Sequence, residues 1–361
     1  MIICRTPFRI SFFGGGTDYP SWYLKNGGSV LSTSINKYCY ITLRNLPPFF
    51  EHKIRLAYSK IELCQHYSEI QHPAVRETLR FLNFDRGLEI HYDGDLPARS
   101  GMGSSSSFTV GLLHACYAMQ GVMASKKQLA MEGIHIEQDM IKEIVGSQDQ
   151  VAAACGGINH IIFKTNGEIE IRPLTLRTSR CEDLNSCLML FYTGIMRNAS
   201  AVAESYVNDI QNKNKLLTKM QEMVDRGIDI LKGNGSIHPF GTLMHEAWMA
   251  KRKLSPKVSN RTVDDLYHRA MDNGALGGKI TGAGGGGFLL LFVPRADQNR
   301  VRNALSELLH VPFRFDYTGS QIIVYEPHLD ECMSDAELDR QGRSICSFRE
   351  LDTLADQQEL K

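Results

Sequence analysis

Three glycine-rich segments lie far apart in the chain and carry the residue types that hold a polyanion. They are Phe13-Gly14-Gly15-Gly16-Thr17-Asp18-Tyr19, Gly101-Met102-Gly103-Ser104-Ser105-Ser106-Ser107, and Gly278-Lys279-Ile280-Thr281-Gly282-Ala283-Gly284-Gly285-Gly286-Gly287. Glycine reaches positive φ and lets a ligand approach backbone amides closely. The middle segment runs straight into an apolar stretch, so its amides open a helix, and a helix N-terminus is a ready anion site. None of the three is a Walker A loop. Their joint implication is one polyanionic ligand enclosed by distant parts of the chain.

Each candidate residue also has an ordinary reading. The hydroxyls at 104–107 can nest phosphate oxygens or simply cap a helix, and helix-terminus logic leaves the two level. Gly282, Gly284 and Gly287 fit GxGxxG, but a dinucleotide fold needs a strand before that motif and a helix after it. Here a strand follows, and the Rossmann reading is rejected. Arg9, flanked by apolar residues in Thr6-Pro7-Phe8-Arg9-Ile10-Ser11-Phe12, can face a phosphate, although a structural ion pair is its default role. Asp18 can bind sugar hydroxyls or serve as a turn aspartate. A carboxylate at a helix start, as at Asp149, is favoured by ~0.3–1 kcal/mol through the helix dipole alone. Glu137 ordinarily belongs to a solvated helix face. Near a phosphate loop the two acids could instead supply a base and a magnesium ligand.

The elements that must position these residues read as α+β. Strands surround the first loop, with Ser29–Ile35 and Tyr38–Leu43 rich in β-branched and aromatic types. Leu88–Tyr92 alternates before the second loop. Phe108–Met119 reads as a mostly buried helix, and apolar spacing predicts another over Lys126–Val145. Ser147 and Gln150 read as a capping box. Strands are expected at 158–164 and 168–173, and the polar stretch Thr175–Asn185 is a candidate boundary. Past it come a strand at Leu188–Tyr192, helices at 199–232, 239–254 and 260–273, a strand at 288–293, a helix at 297–309, and strands at 312–316 and 321–325.

Composition excludes more than it assigns. The 361 residues are 43% apolar, enough for a sizeable core, and the formal net charge is zero. A neutral chain without basic runs gives no support for a nucleic-acid or membrane-surface partner. No signal peptide or membrane span is read. Nine scattered cysteines, none in a CxxC pair, suit reduced thiols and a cytoplasmic setting. A homodimer is left open.

Order and spacing of the three loops resemble the GHMP kinases. Pro7–Tyr19 resembles that family's first motif, Pro97–Ser106 its phosphate-binding second motif, and Lys279–Gly286 its third. The resemblance implies the GHMP kinase fold, with an N-terminal ribosomal-S5-domain-2-like domain (1–180), a C-terminal ferredoxin-like α/β sandwich (181–325), and an extension at 326–361. It implies ATP and Mg²⁺ as cofactors. It makes Asp149, in Gln148-Asp149-Gln150, the catalytic base. Arg9 becomes the basic residue beside it, and Glu137 with Ser105 (Ser104 as the alternative) the metal ligands. Gly101, Met102, Gly103, Ser104, Ser105, Ser106, Gly282 and Gly284 would bind nucleotide. Gly16, Thr17, Asp18, Gln148, Thr193, Arg197 and Lys279 would face the acceptor. Galactokinases carry Gly-Glu-His-Thr-Asp in the first motif, whereas this chain has Gly-Gly-Gly-Thr-Asp. The run Arg9–Pro20, Ser32–Tyr38 and Tyr192–Ala199 are similar to D-glycero-D-manno-heptose 7-phosphate kinases. That implies phosphorylation of the anomeric hydroxyl of a heptose 7-phosphate, a step toward nucleotide-activated heptose for surface polysaccharide. A fucokinase-like free-sugar kinase and a non-catalytic ATP and sugar sensor are the alternatives.

Overall fold

The computed structural model describes residues 1–46, 49–84, 86–195, 199–207 and 209–326. Strand β1 (Ile2–Phe13) stops at the first glycine loop; helix α1 (Pro20–Asn26) then leads into β2 (Gly28–Asn45). Proline at the start of α1 costs no hydrogen bond, since that N–H has no intrahelical partner. β3 (Ile54–Ala57), β4 (Ile61–Cys64), α2 (Pro73–Phe81) and β5 (Leu88–Gly94) precede the second loop. After it come α3 (Ser104–Met119), α4 (Lys126–His135), α5 (Gln148–Cys155), β6 (Ile158–Phe163) and β7 (Ile169–Pro173). The chain continues through α6 (Thr178–Cys187), β8 (Leu188–Tyr192), α7 (Ala199–Val207), α8 (Asn214–Lys232), α9 (His238–Arg252) and α10 (Arg261–Asp272). It closes with β9 (Gly277–Ile280), β10 (Phe288–Phe292), α11 (Gln298–Ala304), β11 (Leu309–His310), β12 (Phe315–Asp316) and β13 (Gln321–Tyr325).

The 18-residue β2 is the spine of a nine-stranded sheet. It pairs antiparallel with β1, with β6 near its start and with β5 near its end. Strands β12 and β13, late in sequence, return to pair with β2 and β1. β11, β8, β10 and β9 form a separate four-stranded antiparallel sheet. Helix α3 lies on β1 and β2; its Val110, Leu112, Leu113 and Ala115 are fully buried, as its apolar composition predicts. From the second half of the chain, α8 and α9 pack back onto β1. The Phe240 ring stands edge-on to Phe12 and Phe13 at 5.3 and 5.0 Å, pairs worth ~0.5–1.5 kcal/mol each beyond burial. This seam sets the second half against the first glycine loop.

Several boundaries differ from expectation. The polar stretch 175–185 is largely helical, since α6 buries Leu184 and Cys187 and turns its polar residues outward. Two buried residues are too few to show as a periodicity. The helix expected over 126–145 ends at His135 and passes into a π turn, Ile136–Met140. Such turns are rare and gather at functional sites. The segment 199–232 is α7, a 3₁₀ turn at Ile210–Lys213, and α8. Helix 297–309 shortens to α11, because Leu309 and His310 extend to pair with β8. The strand expected at 312–316 narrows to Phe315–Asp316.

Candidate active site

Helix α3 begins at Ser104 with Gly103 as its N-cap in the left-handed region (φ 75°, ψ 25°), and no side chain caps it. A β-carbon at Gly103 would sit 3.1 Å from Arg9 Cγ, so glycine is needed for conformation and for space. Two of the four serines are occupied elsewhere. Ser107 Oγ donates to the Pro7 carbonyl at 2.9 Å and Ser106 Oγ to Glu137 Oε2 at 2.8 Å. The serine-rich cap reading therefore gives way to an open helix N-terminus, the arrangement that favours an anion.

Asp149 stands in the first turn of α5, brought to this mouth by β1. Arg9 Nε donates to Asp149 Oδ1 and Arg9 Nη2 to Oδ2, both at 2.6 Å. Its Nη1 donates to the Gly101 carbonyl at 2.8 Å, and its backbone N–H to the Met102 carbonyl at 3.0 Å. One buried arginine thus fixes both the carboxylate and the second glycine loop. Planar two-point pairing of this kind is the strong form of an ion pair. The ordinary reading of Arg9 as an ion-pair partner and the functional one coincide.

A cavity of about 410 Å³ opens here, lined by Arg9, Gly16, Asp18, Gln148, Asp149, Lys279 and Gly282, with Gly101 and Gly103–Ser106 on one wall. Asp18 accepts from Gly16 N–H and from Gln148 Nε2, each at 2.8 Å. Burial pushes its carboxyl up from the ordinary range, and the charge of Asp149 adds to this. Gly146 must lack a side chain, because a β-carbon there would stand 1.9 Å from Asp18 Oδ2. Lys279 Nζ donates to the Ser11 and Phe12 carbonyls at 2.7 and 3.2 Å. Burial pushes its ammonium well below the lysine range, and Lys251 and Arg9 push the same way.

Glu137, on the π turn, is fully buried. It accepts from Ser106, from Thr109 at 2.9 Å and from Gln150. Among the described residues no basic side chain pairs with it. Burial pushes its carboxyl up to about 7, against the pull of the Ser106 and Thr109 hydrogen bonds. A buried carboxylate held by hydroxyls behind the second glycine loop is a set of hard oxygens, the donor type that Mg²⁺ takes together with water and phosphate oxygens, although Glu137 itself does not line the cavity. Among the described residues no group of three or more His, Cys, Asp or Glu could hold a metal without such help.

Some expected contacts are corrected. Ser105 is exposed and does not pair with Glu137; Ser106, one step further around the helix, does. Thr17 does not line the cavity, because its Oγ1 closes the loop onto the Gly14 and Ser29 carbonyls at 2.8 and 3.0 Å. Thr193 likewise spends its Oγ1 on the Gly287 carbonyl at 2.8 Å. Met102 is core, and Gly284 packs on Val258 rather than on the cavity. No capping box forms. Ser147 Oγ accepts from Gln138 at 3.0 Å while Gln150 turns to Glu137, since burial sends both side chains to tertiary partners. Arg197 lies outside the described residues. The third loop joins antiparallel β9 and β10, which agrees with rejecting the Rossmann reading.

Ser11, Gly15, Arg99, Glu143 and Lys251 line the cavity without having been singled out. Lys251, at the end of α9 beside Arg252 and Lys253, reads in sequence as a solvated helix end. In the structure it is buried and donates to the Gly282 carbonyl. A larger cleft of about 610 Å³ beside Tyr317 and the β6–β7 hairpin carries none of the motif residues.

Comparison with known families agrees with this fold. The model of the GHMP kinases N terminal domain matches residues 69–157, and that of the GHMP kinases C terminal matches 228–311. The chain is 28% identical over 318 residues to a D-glycero-alpha-D-manno-heptose 7-phosphate kinase of Campylobacter jejuni subsp. jejuni serotype O:2, covering 83% of this chain and 92% of that one. It is 26% identical to an L-fucokinase/L-fucose-1-P guanylyltransferase of Bacteroides fragilis, over 84% of this chain but 36% of the relative. The crystal structure of a D-glycero-D-manno-heptose 1-phosphate kinase from Bacteroides thetaiotaomicron shares the fold, with TM-score 0.74 and 23% identity over 90% of this chain and all of that one.

Proposed function

The chain belongs to the GHMP kinases as an ATP-dependent sugar kinase, and from that premise we propose that its acceptor is D-glycero-D-manno-heptose 7-phosphate, phosphorylated on the anomeric hydroxyl to the 1,7-bisphosphate. The observation that carries a transfer reaction is the Arg9–Asp149 pair, set beside the open N-terminus of α3 in one cavity. Phosphoryl transfer needs mostly positioning and charge neutralisation. In this reading the α3 amides take the ATP phosphates, Asp149 takes or orients the acceptor hydroxyl proton, and Arg9 balances charge between them. Asp18 and Gln148 face the sugar. Glu137 and Ser106, with the exposed Ser105 hydroxyl beside them, would hold Mg²⁺, whose chemistry is neutralising phosphate charge. The heptose assignment and the step toward nucleotide-activated heptose are supported by the first-motif residues and by the Campylobacter relative. We keep the division at 180/181 as two functional halves. The seven described cysteines are free thiols, which supports a cytoplasmic enzyme; among the described residues no helix is long and apolar enough to cross a membrane.

ADP release with ATP, Mg²⁺ and a panel of the heptose 7-phosphate, mannose, fucose and galactose tests the acceptor. Turnover confined to the heptose phosphate is expected. Turnover confined to fucose would instead favour the reading that the Bacteroides fragilis relative suggests, a kinase of a free 6-deoxysugar.

A second test concerns Glu137. Its folded-state carboxyl titrates at about 7 against an ordinary 4.5, so the folded protein holds a proton that the unfolded chain releases. The stability tied to this group is complete below about 4.5 and is lost as pH rises through about 7. A gap of this size is worth about 3 kcal/mol at most. Without metal, Glu137→Gln should melt at or above the wild type at pH 8 and show less decline between pH 5 and 8. The rise in Tm brought by Mg²⁺ with a non-hydrolysable ATP analogue should shrink in the variant. An undiminished rise would remove Glu137 from the metal site.

A further inference from the structure

Helix α3 covers one face of the nine-stranded sheet, the face of Thr6 and Ile41, whose side chains a β-carbon on Gly111 of the helix would touch. Residues that alternate with these point to the opposite face. Strand pairing sets them in three rows across the path β13–β1–β2–β5–β3–β4. The middle row begins with Ile323 and Val324, which share a β-bulge opposite Ile3. Thr42 and His91 follow at its centre, and it ends with Ala57 and Ile61. It is thus apolar toward both edges. Ile61 and Ile323, on the two edge strands, are 63% and 46% exposed, and Leu63 beside Ile61 is 56% exposed. Aliphatic side chains open to solvent on edge strands invite another chain.

The rows on either side carry opposite charge. Toward one end of the strands the buried Glu89 accepts from Arg44 Nε at 2.6 Å and from Arg55 Nη1. Two arginines over one carboxylate leave a positive charge in excess. Toward the other end Asp93 stands opposite Tyr40, and Asp95 accepts from the Tyr38 N–H at 2.8 Å; both aspartates are exposed. Arg5, in the same row, lies over the Tyr38 ring at 4.5 Å, so a negative charge is in excess there. A face with one positive and one negative end is complementary to its own copy turned end for end. That rotation keeps the strand order and lays each apolar edge on itself, Ile61 against the Ile61 of the copy. Turning the copy edge for edge would instead set positive end over positive end, which like charges oppose. Six strands ~4.8 Å apart and three rows ~6.8 Å apart make a footprint of about 600 Å² on each copy, hence about 1,200 Å² in total, where specific interfaces begin. We infer that this face joins two copies of the chain about a two-fold axis running across the strands. Sheets packed in this way keep their strands within about 30° of each other. The cavity at the Arg9 end of β1 stays open, and the dimer does not rest on the kinase reading.

Sedimentation equilibrium of the full-length protein at micromolar concentrations tests this, and a monomer–dimer equilibrium is expected. Ile61→Lys, which sets two ammonium groups against each other in an apolar contact, should raise the dimer Kd about tenfold or more. Asp93→Lys should do the same to about the same extent, because it places a cation over the arginines of the copy; Asp93→Asn should have a smaller effect. Both positions are exposed, so the variant chains stay folded, which a thermal melt checks. Leu309→Lys alters an equally exposed aliphatic residue on β11, at the edge of the other sheet, and should leave the Kd within twofold of the wild type. A wild type that is monomeric throughout overturns the inference. So does a dimer that Leu309→Lys weakens while Ile61→Lys and Asp93→Lys leave it intact. In a monomer, protection of Ile61 and Leu63 from hydroxyl-radical footprinting would give the face to residues 327–361 of the same chain, and this too overturns the dimer.

Discussion

Asp149→Asn lowers turnover by about a hundredfold or more, the usual scale for loss of a general base, while the protein stays folded. The substitution keeps shape and removes charge. In the wild type each carboxylate oxygen accepts one bond from Arg9 at 2.6 Å. In the variant one of those positions becomes an amide NH₂ facing a guanidinium N–H, so half of the pairing turns from attractive to repulsive. Arg9 then keeps the one remaining oxygen of the substituted side chain and its bond to the Gly101 carbonyl. The acceptor hydroxyl loses its proton acceptor, while Arg9 keeps its charge but is held less firmly. Kinetics with saturating ATP and the preferred acceptor, together with a thermal melt, decide the matter. Turnover within fivefold of the wild type from a normally melting variant would remove Asp149 from the role of base. A large loss with an unaltered pH profile would point to orientation of the hydroxyl rather than proton removal.

Much of the site was legible only through the order of the three glycine loops and the family they resemble, because Arg9, Asp149 and the serine loop each had an ordinary reading by themselves. With that resemblance, an arginine on the strand before the first loop and an aspartate at a helix start mark the mouth of the cavity. The structure joins Arg9 to Asp149 across 140 residues. What escaped reading was set by tertiary partners rather than local pattern. Ser105 and Ser106 are equivalent in sequence, and only the angle of α3 against the π turn decides that Ser106 meets Glu137. The spacing of Leu129, Gly133, Ile136 and Met140 is good helical periodicity. It cannot report that one extra residue per turn is inserted at Ile136–Met140, which is what carries Glu137 inward. Ser147 and Gln150 form a sound capping pair by spacing, but a buried serine and glutamine serve Gln138 and Glu137 instead. Lys251 had no signal at all, since a lysine in a basic helix end is ordinarily solvated. A serine alternating with apolar residues in a strand, as Ser11 does between Ile10 and Phe12, carries no signal of its own.

Arg9→Lys carries the other large expected loss, about a hundredfold or more in kcat/KM, although it preserves the charge. Arginine offers a planar fork that lysine cannot reproduce. Arg9 uses all three of its nitrogens: Nε and Nη2 on the two oxygens of Asp149, and Nη1 on the Gly101 carbonyl. A lysine ammonium reaches one of those partners well. It leaves either Asp149 free to rotate or the second glycine loop unpinned next to the helix N-terminus proposed to meet the phosphates. Removal of one preorganised charge-stabilising donor typically costs about 10²–10³ in rate, and here one residue serves two elements. Because Arg9 and Asp149 act as a unit, the double variant Arg9→Lys/Asp149→Asn should be scarcely worse than the more damaged single variant, since effects within one catalytic unit do not add. Full multiplication of the two losses would mean that Arg9 acts on the phosphates independently of Asp149. Recovery of near-normal kcat/KM in Arg9→Lys alone would mean that charge, rather than the fork holding Asp149 and Gly101 together, is what the reaction requires.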